Sequence, residues 1–230
     1  MNHRLYVSVH IPKTAGTSFQ LFLKQVFGEG LILDYRSKPL DSDYEQRAVA
    51  NLAEDNETYR HILQLLEQRD VCVHGHFLPA KYLALFPDAT LITWLREPAQ
   101  RLMSHYEFWR QNPQLDHKIA RHVVESKLSF SEFCELDLMQ NISMKFFGDL
   151  KASRFNFIGL TERYTESLEA LCRQFNWPDM LSADSKKIRQ NPLKTGPRYL
   201  LENNESKTVS NLNALDYQLY QEVLENHNKP

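Results

Sequence analysis

Leu5-Tyr6-Val7-Ser8-Val9-His10-Ile11-Pro12-Lys13-Thr14-Ala15-Gly16-Thr17-Ser18-Phe19 reads as a strand, a short loop and the start of a helix. Tyr6–Val9 is an apolar run of strand length. Ser18–Phe27 carries Phe19, Phe22, Leu23 and Val26 at helical spacing, so one face is apolar. A loop with Gly, Thr and Ser between a strand and a helix is suited to a phosphate. The first N–H groups of the helix lack intrahelical partners, and the helix dipole favours an anion there. Lys13 adds a positive charge, and the hydroxyls of Thr14, Thr17 and Ser18 add donors. The ATP-type loop closes with Gly-Lys-Ser/Thr. Here the lysine opens the loop and no such closure follows, which points away from kinases and toward another phosphate-containing donor.

Working outward, three further apolar runs read as buried strands: Val71–Val73, Leu91–Leu95 and Phe155–Leu160. Helical patterns separate them, at Asp43–Gln68, Pro98–Gln111 and Glu162–Phe175, and a last one spans Asn211–Glu225. Strand and helix in alternation predict βαβ units and a mostly parallel sheet flanked by helices. Pro98 suits the first turn of its helix, where an N–H would be unsatisfied anyway. Leu115–Met144 reads as helical but polar, and Ser185–Arg198 as loop. The expected fold is a single α/β domain over 1–230.

Two more constellations sit at strand ends, where open α/β sheets bind ligands. Leu91-Ile92-Thr93-Trp94-Leu95-Arg96-Glu97-Pro98 ends a buried strand in a charge. Ser104 follows two helical turns later. A guanidinium and a hydroxyl suit a second phosphate; the plainer alternative is a salt-bridged arginine and an ordinary helix serine. Val71-Cys72-Val73-His74-Gly75-His76 brings two histidines to the same edge. Histidine is the usual base for a hydroxyl. A structural hydrogen-bonding role competes with that reading. So does a metal site of Cys72, His74 and His76, which an unbroken strand would point one way, although Gly75 makes an unbroken strand doubtful. The segment 186–198 holds five cations, Lys186, Lys187, Arg189, Lys194 and Arg198, and no acid. It is either solvated or folds over an anionic ligand.

The chain has 230 residues and a formal net charge of −2, which argues against a general nucleic-acid binder. No apolar run approaches the roughly 20 residues that span a bilayer. The N-terminus runs straight into a strand, and three scattered cysteines do not suggest a disulfide framework. These features lead to the expectation of a cytoplasmic, bacterial-type soluble enzyme.

Together the motifs resemble those of sulfotransferases that use 3′-phosphoadenosine 5′-phosphosulfate (PAPS), and most of all the carbohydrate branch that includes heparan sulfate 2-O-sulfotransferase. Residues 10–19 resemble its 5′-phosphosulfate loop, His74-Gly75-His76 its catalytic histidine pair, and Leu95–Tyr106 its 3′-phosphate motif. Phe157-Ile158-Gly159-Leu160-Thr161-Glu162 is similar to its late strand-to-helix junction. The likeness covers residues 5–110 and, loosely, 155–200. It implies a P-loop-like fold, no metal requirement, and in-line transfer of a sulfuryl group from PAPS to an acceptor hydroxyl, leaving 3′,5′-ADP. On that basis Lys13, Thr14, Ala15, Gly16, Thr17 and Ser18 would hold the 5′-phosphosulfate. Arg96 and Ser104 would hold the 3′-phosphate, with Arg189, Lys194 and Thr195 contributing from the basic loop. His76 and His74 would be catalytic with Lys13, and His76 is favoured as base because it lies further past the strand end. The acceptor is expected to be a hydroxyl, most of all of a carbohydrate, with neutral glycans, glycolipids and small alcohols all open. A P-loop kinase of a small hydroxylated molecule and a non-catalytic nucleotide-binding protein are the alternative readings.

Overall fold

The computed structural model describes residues 3–36, 56–115, 117–177 and 198–227. In chain order the elements are β1 Leu5–Val9, α1 Gly16–Phe27, β2 Leu31–Asp34, α2 Asn56–Leu66, β3 Val71–Gly75, α3 Ala80–Leu83 and β4 Thr90–Leu95. There follow α4 Pro98–Gln111, α5 Lys118–Glu125, α6 Phe130–Glu135, α7 Ile142–Phe147, β5 Phe157–Leu160, α8 Tyr164–Phe175, α9 Asn203–Leu212 and α10 Ala214–His227. The chain forms two compact units, one from 1–95 with 145–189, the other from 96–144 with 190–230.

The first unit holds a five-stranded, all-parallel sheet in the order β2-β3-β1-β4-β5. Four strands lie where the apolar runs predict them. The fifth, β2, does not appear in the sequence reading. It has only three apolar residues before Asp34, pairs on one side only, and leaves Leu33 46% exposed. So short an edge strand carries little of the continuous apolar signal of a buried parallel strand. β3 runs unbroken through Gly75, contrary to the expectation that Gly75 interrupts it. The glycine is needed because a Cβ there would fall 1.7 Å from the Asp34 carbonyl oxygen of β2.

Alternation sends Tyr6, Cys72, Ile92, Trp94 and Phe157 to one face of the sheet, where they pack with α1 and α8. Phe19, Phe22 and Leu23 of α1 are fully buried in this cluster, as are Leu168 and Leu171 of α8. Each such side chain contributes about 1.5–3 kcal/mol on burial. This packing, rather than intrinsic propensity, holds α1 against the sheet and so fixes the loop before it. Of the predicted helix 43–68, residues 56–66 are helical, and 43–55 lie outside the described residues.

In the second unit α4 starts at Pro98, as expected. The Glu97 carboxylate accepts from the N–H groups of Ala99 (3.3 Å) and Gln100 (2.9 Å), and from the Tyr217 hydroxyl (2.8 Å). The polar helix expected over 115–144 is instead three helices, α5 to α7, and it is not polar on its inner side. Ala120, Val123, Phe130, Phe133, Met139 and Ile142 are all buried. Lys127 and Asn141 break the run by adopting positive φ, 50° and 47°. Ser129 and Glu132 form a capping box that starts α6. The closing helix expected over 211–225 is α10, and a helix absent from the sequence reading, α9, precedes it. Asp216 of α10 accepts from the Ser143 and Met144 N–H groups at 3.0 and 2.9 Å, capping α7. Among the described residues no helix is long and apolar enough to cross a membrane.

Candidate active site

The loop between β1 and α1 is wound tightly. Lys13 has φ 72° and Ala15 has φ 67°, the left-handed region, while Thr14 between them does not. Each such non-glycine residue costs on the order of 1–3 kcal/mol, and alternating left-handed residues are a feature of loops whose backbone N–H groups form anion-binding concavities. The loop is anchored from behind. Thr14 is buried and its hydroxyl donates to the Ile11 carbonyl at 2.8 Å, so it is an internal brace and not an outward donor as the sequence suggests. The Ser18 and Phe19 N–H groups both go to the Ala15 carbonyl, at 3.0 and 3.1 Å. The Ser18 N–H is therefore spent inside the turn and is not the outward donor that the sequence suggests. Lys13 is half-buried, Thr17 exposed.

Beside the loop the parallel register makes a row. Ser8 pairs with His74 and Leu33 with His74, and just past the strand ends His10, His76 and Tyr35 meet ring against ring. His74 and His76 do point one way, because Gly75 does not turn the chain. Their surroundings differ. His74 is 1% exposed; its Nδ1 lies 2.8 Å from the Ser8 hydroxyl, and its Nε2 has no hydrogen-bond partner. Burial, with the neighbouring His76, pulls its pKa down to about 3. His76 is half-buried, and its Nδ1 lies 2.6 Å from the His10 carbonyl oxygen. A carbonyl can only accept, so Nδ1 carries the proton and Nε2 the lone pair. Burial lowers the pKa of His76 too, with the His10 carbonyl opposing. Tyr35 donates or accepts at His10 Nδ1 over 3.0 Å, and its ring meets that of His76 edge-on at 4.9 Å. Gly16 is required here, since a Cβ would fall 1.8 Å from His10 Nε2.

Below Tyr35 sits a buried ion pair. Asp34 Oδ2 accepts from Lys81 Nζ at 2.6 Å and from the Tyr82 hydroxyl at 2.8 Å, with Asp34 1% and Lys81 6% exposed. It ties the end of β2 to α3. Tyr35, Asp34 and Lys81 are absent from the sequence-based site, and His10 enters it only as the first residue of the loop motif, with no role assigned. The available signal was the Gly28-Glu29-Gly30 turn ahead of Leu31–Leu33, which marks a strand whose end would deliver residues 34 and 35 to the same edge. The alternative metal site of Cys72, His74 and His76 is not formed: Cys72 belongs to the apolar core, and no three metal-binding side chains converge among the described residues.

In the second unit Arg96 and Ser104 are both half-buried, two residues before α4 and two turns into it. The Arg96 guanidinium lies over the Tyr199 ring at 5.8 Å. Gln100 holds Tyr199 in place, its amide taking the Tyr199 N–H at 2.7 Å and giving to the Tyr199 carbonyl at 3.0 Å. Stacking occupies a face of the guanidinium and not its in-plane N–H groups, which are those that bind phosphate. Arg189, Lys194 and Thr195 lie outside the described residues, and of the basic loop Arg198 alone is described, as an exposed residue.

No protein-family description matches the sequence, and no curated protein matches it. Solved structures do. A sulfotransferase from Alicyclobacillus acidocaldarius is 13% identical and aligns over 96% of this chain and 96% of its own, with a TM-score of 0.50. A mouse sulfotransferase complexed with PAP is 11% identical over 92% of this chain and 64% of its own, with a TM-score of 0.44. The parallel α/β sheet flanked by helices is thus the fold of the Alicyclobacillus sulfotransferase.

Proposed function

We propose that the protein is a PAPS-dependent sulfotransferase acting on an acceptor hydroxyl of the carbohydrate class that the motif resemblance implies. The observation that carries the reading is a neutral histidine with a fixed tautomer, at the end of the strand adjacent to the one that leads into an anion-binding loop. In this reading the loop N–H groups from Lys13 to Thr17 hold the 5′-phosphate. Lys13 neutralises charge on the bridging oxygen as the sulfuryl group leaves. His76 Nε2 takes the proton of the acceptor hydroxyl while that oxygen attacks sulfur and the bond to the phosphate oxygen breaks. His74 is too deeply enclosed to meet an acceptor, and it supports the row from below through Ser8. Arg96 and Ser104 recognise the 3′-phosphate, the group that distinguishes PAPS from ATP.

The test combines binding with turnover. Thermal-shift titration should show stabilisation by 3′,5′-ADP well above that by 5′-AMP or by ATP with Mg²⁺. His76→Ala should lower turnover with PAPS about 10²–10⁴-fold, the usual contribution of a general base, with 3′,5′-ADP binding retained. Preferential stabilisation by ATP with Mg²⁺ would favour the kinase reading and sink this one.

A further inference from the structure

The His76 ring is held on several sides by two residues to which the motifs give no role. The His10 main chain brackets the end of β3: its N–H donates to the Gly75 carbonyl at 2.8 Å, and its carbonyl accepts from His76 Nδ1. The His10 ring stacks on that of His76, with centroids 4.4 Å apart and planes at 27°. It is itself wedged, lying against Gly16 of the anion-binding loop and stacking on His74 at 5.3 Å. Tyr35 closes the row. Its hydroxyl reaches His10 Nδ1 at 3.0 Å and Gln20 Oε1 of α1 at 3.4 Å, while its ring meets His76 edge-on.

We propose that His10 and Tyr35 are positioning residues for the transfer reaction, which clamp His76 in its Nδ1–H tautomer so that Nε2 is the one lone pair presented to the acceptor hydroxyl. A base held by a carboxylate gains a charge partner that raises its pKa. A carbonyl and a stacked neutral ring fix tautomer and direction without that charge. The chemistry suits a site that must hold an anionic donor beside the base, where a carboxylate would repel it. The enclosure of His10 keeps its own ring neutral, since burial, His76, His74 and Lys13 all disfavour its protonation. The link to Gly16 means that the same ring that aims the base also rests on the loop that holds the donor.

The inference rests on His76 being the base, but half of its test does not. Nitrogen-15 NMR of the ligand-free protein near pH 8 reads the His76 tautomer directly. The wild type should be predominantly Nδ1–H. His10→Ala keeps the main-chain carbonyl but removes the ring that stacks His76 against it, so His76 should turn away from that acceptor and move toward a mixture of tautomers. That shift upholds the clamp whether or not PAPS is turned over. In turnover with PAPS, His10→Ala should lower kcat about 10²-fold, the scale of a misplaced catalytic group, with the donor KM within about 2-fold. Tyr35→Phe keeps the ring and removes only the hydroxyl. It should lower kcat about 5–10-fold, a part of that same misplacement effect. His10→Asn, which restores a donor near Nδ1 for Tyr35, should recover part of the His10→Ala loss. A wild-type His76 found mainly as Nε2–H overturns the proposal. So does an unchanged tautomer with kcat above half of wild type in both His10→Ala and Tyr35→Phe. A wild type inactive with PAPS but carrying the expected tautomer shift would remove the transfer reading and leave the clamp.

Discussion

Substituting His74 by glutamine should flatten the acid sensitivity of the protein. His74 is 1% exposed and burial holds its pKa at about 3, against 6.5 for the ordinary group. Between those values the unfolded chain binds a proton at this position and the folded protein does not. The unfolded state therefore binds more protons, and stability rises with pH across the interval. The contribution is complete above about pH 6.5 and is lost as pH falls toward 3. Each pH unit within that window is worth about 1.4 kcal/mol, so the difference of 6.5 − 3 gives a ceiling of about 5 kcal/mol, and about 2 kcal/mol is lost by pH 5. Against a total of roughly 5–15 kcal/mol for a folded domain, that is a large share. Urea unfolding followed by circular dichroism, at intervals from pH 4.5 to 8, measures it. Glutamine does not titrate and retains a polar group for the Ser8 hydroxyl. The variant should lose stability by about 1.4 kcal/mol less per pH unit than the wild type below pH 6.5, whatever its stability at pH 8. Parallel curves for the two proteins would show that His74 is not held neutral by the fold, and the account of this buried row would be wrong.

Lys13→Ala should slow turnover with PAPS about 10²–10³-fold while 3′,5′-ADP binding changes little, because the charge that Lys13 meets appears only during transfer; near-normal turnover would remove the role. Arg96→Ala and Ser104→Ala should each weaken 3′,5′-ADP binding, in calorimetry, by roughly 1.5–3 kcal/mol, the scale of a charged hydrogen bond. Both should leave 5′-AMP nearly unaffected, and equal losses for both nucleotides would contradict 3′-phosphate recognition. Asp34→Ala should lower stability by about 3–5 kcal/mol, since it breaks a buried ion pair and removes the acceptor of the Tyr82 hydroxyl; a melting temperature close to wild type would refute the pairing. The kcat of the wild type should fall as pH drops, with its inflection below 6.5, because burial lowers the pKa of the base and keeps it neutral further into acid; an inflection above 6.5 would argue against His76.

Local patterns carried the parts of the fold that local patterns can encode. Four of the five strands, the start of α4 at Pro98 and the strand-to-helix junction before α1 were all legible, since each depends on an apolar run, a proline or a turn within a few residues. Leu115–Met144 was misread because its buried positions are spread over three short helices, separated at Lys127 and Asn141, so no single period runs through them. The sequence by itself determined that a tight strand-to-helix loop follows β1 and that two histidines end β3. Only the tertiary structure decided how these histidines differ. Pairing of β2, β3 and β1 in register is a non-local event, and it places Tyr35, His76 and His10, from three distant stretches of chain, in one row. The same register buries His74 over Ser8 and gives His76 Nδ1 to the His10 carbonyl. Which ring nitrogen keeps its lone pair depends on hydrogen bonds between strands, and no pattern along one strand contains that information.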